Sequence, residues 1–218
     1  MTRAPSLLRM LQTSDSAFPS GAFAFSNGLE TLVAEGVVPE HLSLEAVLLD
    51  QIAPRWMAFD RYFLCCSMTA EDVSVVDWDC HIRQAVPELS SASQRMGRAL
   101  LTSHTRIGTP GAAAYGARPR SEAPAHAAVV QGIVGRGLGL GVEEAEAGAF
   151  HGLLVGFAAA AVRLGRVGAI SAQAAVATAI DQYAQAFGLS PEAPSAFAPI
   201  ADIAVQRRNE TAVNLFAT

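Results

Sequence analysis

Apolar residues recur along this chain at intervals of three and four, and no convincing alternation of period two is present. Leu29, Leu32 and Val33 share one helical face before Gly36 ends the element. Ser43 is a fitting N-cap for a helix carrying Leu44, Val47, Leu48 and Ile52, which Pro54 is expected to kink or break. Trp56, Phe59, Phe63 and Cys66 continue the same spacing. Val73, Val76 and Cys80 predict a further helix, stopped near Pro87, and Leu89, Ala92, Met96 and Leu100 another. A helix resumes through His126, Val129, Val130 and Ile133. The longest clear one runs from about Val142 to Leu164. Ser171 is read as the cap of a helix with Ala174, Ala177, Ile180, Tyr183 and Phe187, and a last helix runs from Ile200 towards Phe216. The pattern predicts an all-α fold: one domain over residues 1–218, a bundle of about 8–10 helices, with a mobile Gly/Pro/Ala-rich loop near 107–124.

Glycine modifies this picture in the longest helix. Gly148, Gly152 and Gly156 fall every fourth residue, followed by Ala160, and open a groove on one face. Each interior glycine costs about 0.5–1 kcal/mol relative to alanine. Close approach of a second helix is the expected compensation, so Gly152→Leu is expected to overpack a central, buried helix.

Composition narrows the function. Only 16% of the 218 residues are charged and 51% are hydrophobic, with a mean hydropathy of +0.29. Few charges leave wide apolar patches on a globule of this size, which implies surface that a partner covers. The net charge of −5 argues against nucleic acid. All 15 basic residues are arginine, which rules out a Schiff base or a P-loop lysine. The Gly-rich run 135–141 lacks the G-K-[ST] ending of a phosphate loop. Cys65, Cys66 and Cys80 form no C-x-x-C pair and read as reduced, buried thiols. No two of the five histidines stand at i, i+3 or i, i+4, so spacing supports no metal site. The most apolar run, Gly152 to Val162, falls short of the about 20 residues of a membrane span. Without a signal-like N-terminus, a cytoplasmic location is expected. No acid/base pair or nucleophile can be assigned. Catalytic, cofactor and metal residues are therefore expected to be absent.

The segment Ala17 to Glu30 stands apart. A turn, Phe18-Pro19-Ser20-Gly21, precedes Phe23 and Phe25, read as exposed-type aromatics on a shaped surface. Ser26-Asn27-Gly28 then breaks one element and starts the next, with Glu30 in its first turn. Gly97 lies within a helical stretch, Gln94-Arg95-Met96-Gly97-Arg98, where a close contact is expected.

Together these segments resemble the urease accessory family UreF. The family's N-terminal pattern, close to Leu-Pro-x-Gly-Ala-Phe-x-x-Ser-x-Gly-Leu-Glu, is matched nearly throughout by Phe18, Pro19, Gly21, Phe23, Phe25, Ser26, Gly28 and Glu30 with their neighbours. Gln94, Arg95 and Gly97 sit in a stretch similar to its Gln-x-Met-Gly-Arg-Ala-Leu. Arg163 sits in a match to Ala-Ala-Val-Arg-Leu, and Leu215-Phe216 in a match to the C-terminal Leu-Phe. The ending departs from the family: Asn209-Glu210 stands where His-Glu is usual, and both later arginines are missing. The resemblance implies a non-enzymatic scaffold that binds UreD (also called UreH), dimerises in the complex, and recruits or regulates the GTPase UreG. Nickel is thereby inserted into the urease apoprotein. The motif residues named here, Arg163, Leu215 and Phe216 included, are then the expected partner-binding positions. The alternative is a metallochaperone that binds nickel itself through Cys or His.

Overall fold

The computed structural model describes residues 4–22, 25–207 and Phe216. The described residues form helices and connections, with no strand among them. The all-α reading is met. The first helix, α1 (Ala4–Ser14), buries none of its residues. The short α2 (Leu29–Ala34) and α3 (Val37–Glu40) lead into a helical run spanning 44–69.

That run departs from the sequence expectation. Pro54 neither breaks nor ends it. The chain passes from α4 (Leu44–Val47) through a π turn at Leu48–Ile52 into α5 (Ala53–Arg55). A second π turn, Trp56–Asp60, leads into α6 (Arg61–Thr69). A proline removes one N–H from the α ladder, and looser π turns on both sides accommodate the loss while every junction residue stays in the right-handed helical region. Ser43 caps the start as its sequence position suggests: its hydroxyl accepts from the Ala46 N–H at 3.0 Å.

The remaining helices are α7 (Val73–Arg83), α8 (Pro87–Arg106), α9 (Ala112–Gly116), α10 (Ala127–Gly137), α11 (Val142–Arg163), α12 (Ala169–Tyr183) and α13 (Pro199–Arg207). The last begins where expected but its described part ends at Arg207. Inside the stretch 107–124, read from sequence as loop, α9 forms and buries Tyr115. Ser171 lies within α12 rather than at its cap, which is Gly168.

Two apolar clusters hold the helices together. Trp56, Leu64, Phe150, Leu154 and Phe157 lie in one, and Phe59, Phe63, Leu101, Val129 and Ile133 in the other. The run 44–69 feeds both, because successive turns of one helix face opposite neighbours. The Trp56 and Phe150 rings pack 5.0 Å apart in the first, and Phe59 and Phe63 lie 5.0 Å apart in the second.

A buried ion pair ties α6 to α11. Arg61 Nε donates to Glu146 Oε1 at 2.6 Å, and the carboxylate is fully buried. The other carboxylate oxygen accepts from the Gly188 N–H at 2.6 Å, while the guanidinium also donates to the carbonyls of Ala186 and Leu189. Two helices and the turn after α12 therefore share one fully engaged pair of charges, which is what burial of such charges requires.

The glycine face of α11 is not packed as the spacing suggests. A side chain at Gly148 would strike Met10 of α1, whose Ser14 hydroxyl donates to the Gly148 carbonyl at 2.9 Å. Gly152 and Gly156 meet nothing within 4 Å. They line a cavity of about 200 Å³ to which α1, α8, α10 and α11 contribute walls. The helix has the length and composition to cross a membrane, with a mean hydropathy of 1.5 in its most apolar window. Half of that window is buried inside the fold, as in the core helix of a folded domain. The apolar run Gly152 to Val162 is the C-terminal half of a 22-residue helix whose N-terminal half carries Glu143, Glu144 and Glu146.

Three substitutions separate these contacts in urea denaturation. Glu146→Ala leaves Arg61 buried without its partner and is expected to cost about 3–5 kcal/mol. Gly152→Ala adds a methyl group to open space in a helix interior and is expected to raise stability by about 0.5–1 kcal/mol. Gly97→Ala, where the backbone carbonyl of Ala125 occupies the space of a side chain, is expected to lower stability by about 1–3 kcal/mol.

Candidate functional site

The segment around Phe18 is laid along α8. Ser20 N–H donates to the Phe18 carbonyl at 2.7 Å, closing a tight turn. Ser103 of α8 donates its hydroxyl to the Pro19 carbonyl at 2.7 Å. Gly21 adopts φ +77°, a region that suits glycine, and a side chain there would press on Ala99 at 3.0 Å. The half-buried Phe18 ring packs 5.1 Å from the imidazole of His104.

His104 is wholly enclosed. Its Nδ1 lies 2.8 Å from the Thr109 hydroxyl, and burial holds its pKa down at about 4. It is therefore a neutral ring at ordinary pH, and a flat apolar seat for Phe18.

Phe25 corrects the sequence reading, which gave it an exposed place. It is buried at 6% exposure, and the exposed Arg95 of α8 lies over its ring with the guanidinium carbon 5.3 Å from the ring centre. An arginine face replaces water over the aromatic face. Phe23 and Leu215 lie outside the described residues.

The next residues build a hairpin-type turn. Leu29 N–H donates to the Ser26 carbonyl at 3.1 Å across Asn27 (φ 52°) and Gly28 (φ 83°), the type I′ arrangement that Asn-Gly favours. Ser26 is buried, and its hydroxyl lies 3.4 Å from the Glu30 N–H it caps. Gly28 is needed twice over: for its φ, and because a side chain would meet the Ala201 carbonyl of α13 at 2.8 Å.

Glu30 faces inward rather than towards solvent. It is buried, and its Oε2 accepts from the backbone N–H of Phe216 at 3.3 Å. The exposed Arg163, at the end of α11, lies over the buried Phe216 ring at 4.2 Å. Three residues from the beginning, the long helix and the end of the chain thus meet. Arg207 of α13 also pairs with Glu35 at 3.2 Å across the same seam.

Gly97 and Gln94 lie on the other flank of α8. Gly97 lets the helix touch the backbone at Ala125 and His126, where α10 begins. That junction is organised by Asp77, which the sequence did not single out. The fully buried Asp77 carboxylate accepts from the N–H groups of Ala125 (2.6 Å) and His126 (2.9 Å) and from the Tyr115 hydroxyl (2.7 Å). Burial pushes its pKa up, and these three donors oppose that shift. Ser93 of α8 accepts from the next N–H, that of Ala127, at 3.0 Å. The open N–H groups at the start of α10 are thus met by side chains of α7 and α8. Gln94 reaches towards His81 of α7, whose Nδ1 lies 3.0 Å from Nε2 of the buried His126. Asp77 follows Val73, Val75 and Val76 in α7, but Asp79 lies two residues on, so the sequence did not set Asp77 apart; His81 and His126, 45 residues apart, gave no signal either.

The three cysteines are free thiols. Burial, and then the nearby Glu146 carboxylate, push Cys65 up to about 12; burial also raises Cys66 and Cys80. Each is therefore held as the protonated thiol at neutral pH in the metal-free chain. Among the described residues, no three of His, Cys, Asp and Glu converge as a metal cluster.

Comparison with known proteins adds a family. The profile of the family UreF matches residues 38–180. A urease accessory protein UreF of Trichodesmium erythraeum is 30% identical over 96% of both chains. Proteins of the same name from Arthrobacter sp. and Cereibacter sphaeroides are 29% and 27% identical, the former over 96% of both chains and the latter over 97% of this chain and 98% of its own.

Acid should expose His104. Its ordinary pKa is about 6.5 and its folded value is about 4. The unfolded chain therefore binds a proton first as the pH falls, so stability is retained above about 6.5 and declines towards 4. The expected contribution is at most about 3 kcal/mol. Melting temperatures from pH 7 to 5 should fall, and His104→Gln should flatten that slope.

Proposed function

This chain belongs to the UreF family of urease accessory proteins, and from that premise we propose that it is a non-catalytic scaffold of urease maturation that docks a UreD-type (UreH-type) accessory protein. On this reading it pairs with a second copy in the complex and recruits the GTPase UreG. Nickel reaches the urease apoprotein as cargo of the assembly, in the cytoplasm. The chain supplies shaped surface, and its partners supply nucleotide chemistry.

The observation that supports this reading is the outward side of α13 and its approach. Phe197, Ile200 and Ile203 are 75%, 36% and 55% exposed, while Ala201, Ala204 and Val205 on the inner side are buried near Gly28. One helix thus has its inner face on the N-terminal motif and an apolar face towards solvent, a combination that marks association surfaces. Pro19, Gly21, Arg95 and Arg163 reach the surface of the same motif. They form its proposed rim, to which Arg95 and Arg163 bring charge, with Gln94 at its flank. The buried members, Phe25, Ser26, Gly28, Glu30, Gly97 and Phe216, give that surface its shape.

Co-purification tests the proposal. The chain expressed with UreD and UreG is expected to form a stable complex. Ile203→Arg, which alters only an exposed position, is expected to weaken it at least tenfold with an unchanged melting temperature. Folded wild-type protein that binds neither partner overturns the scaffold reading.

A further inference from the structure

The pair His81–His126 carries more than a packing role. We propose that these two imidazoles form a binding site for a single divalent transition-metal ion of the class that imidazole favours, Ni²⁺, Cu²⁺ or Zn²⁺. Nδ1 of His81 and Nε2 of His126 are 3.0 Å apart. Two imidazole nitrogens, each about 2.1 Å from one ion and at right angles about it, would lie about 3.0 Å apart.

The surroundings favour an ion over a single hydrogen bond. Three groups converge on His81 Nδ1: His126 Nε2 at 3.0 Å, the Gln94 carboxamide at 3.4 Å and the Ser90 hydroxyl at 3.5 Å. An imidazole nitrogen serves one hydrogen-bond partner at a time. In the proposed site the two imidazole nitrogens hold the ion, and Gln94, turned to present its oxygen with its shape unchanged, and the Ser90 hydroxyl are the oxygen ligands beside His81. The backbone around the pair is fixed, since Asp77 holds the His126 N–H at 2.9 Å and Ser93 the Ala127 N–H at 3.0 Å. The Asp77 carboxylate also places negative charge behind the site. Two nitrogen ligands supported by neutral oxygens suit a borderline divalent ion over a hard one such as Mg²⁺ or Ca²⁺. The proposal does not rest on the docking reading: a chain that assembles normally without binding metal refutes this site alone.

Trp78 supplies a local reporter, its ring edge-on to His81 at 5.1 Å between centres. The experiment is titration of the full chain with Ni²⁺ in a non-coordinating buffer at pH 7.5, read by calorimetry and tryptophan fluorescence. One ion per chain and saturable quenching are expected. Trp78→Phe should remove most of the quenching and keep the heat. His81→Ala should weaken binding at least tenfold, whereas changing the surface histidines His41 and His151 should leave it intact. X-ray absorption of the Ni²⁺-loaded wild type should show two imidazoles, and this measurement decides the matter if His81→Ala does not fold. Absence of saturable binding, an undiminished affinity in folded His81→Ala, or fewer than two imidazoles overturns the site.

Discussion

Asp77 is the point on which the arrangement of α7, α8 and α10 depends. A fully buried carboxylate is unfavourable unless donors surround it, and here two backbone N–H groups and a tyrosine hydroxyl do so. Hydrogen bonds to a charged group contribute about 1.5–3 kcal/mol each. They fix where α10 starts. The backbone at that start is what Gly97 touches, which sets how close α8 comes. Further along α8 lie Ala99, Ser103 and His104, the seats of Gly21, Pro19 and Phe18. The placement of the N-terminal motif thus passes through α8 back to one carboxylate.

The motif itself works as a clasp. Its residues meet α8 through Phe18, Pro19, Gly21 and Phe25, α13 through Gly28, and the end of the chain through Glu30. Phe25, Ser26, Gly28, Leu29 and Glu30 are buried, so the second half of the stretch is explained by packing between distant segments. What faces outward is polar or backbone-like, together with the apolar side of α13 beyond it. Membership of a urease accessory family gives this division a purpose, because a protein that assembles with others must hold one surface in shape while leaving another unpaired.

Much of the helical layout was legible in the sequence. Val142 to Leu164 is bounded by Gly141 and an acid three residues into the helix, and the structure places α11 within a residue of that reading. Pro54 misled because its lost hydrogen bond has two outcomes, a break or a local loosening, and neighbouring packing chose the second. Gly152 and Gly156 misled because spacing reports only that side chains are missing. Whether a neighbour fills the space depends on the helices opposite. The site was legible as a set of residues but not as contacts. Phe25 is covered by Arg95, Glu30 by Phe216, and His81 by His126, all partners far along the chain. Local pattern carries no information about such pairs.

Gly28 has a consequence that reaches beyond its own turn. Its bare α-carbon sets the distance at which α13 rests, since the Ala201 carbonyl occupies the room a methyl group would claim. The approach of α13 is therefore metered by an atom that is not there, more than 170 residues earlier in the chain. Gly28 and α13 therefore share one contact, and a protein that grips α13 also bears on the N-terminal motif.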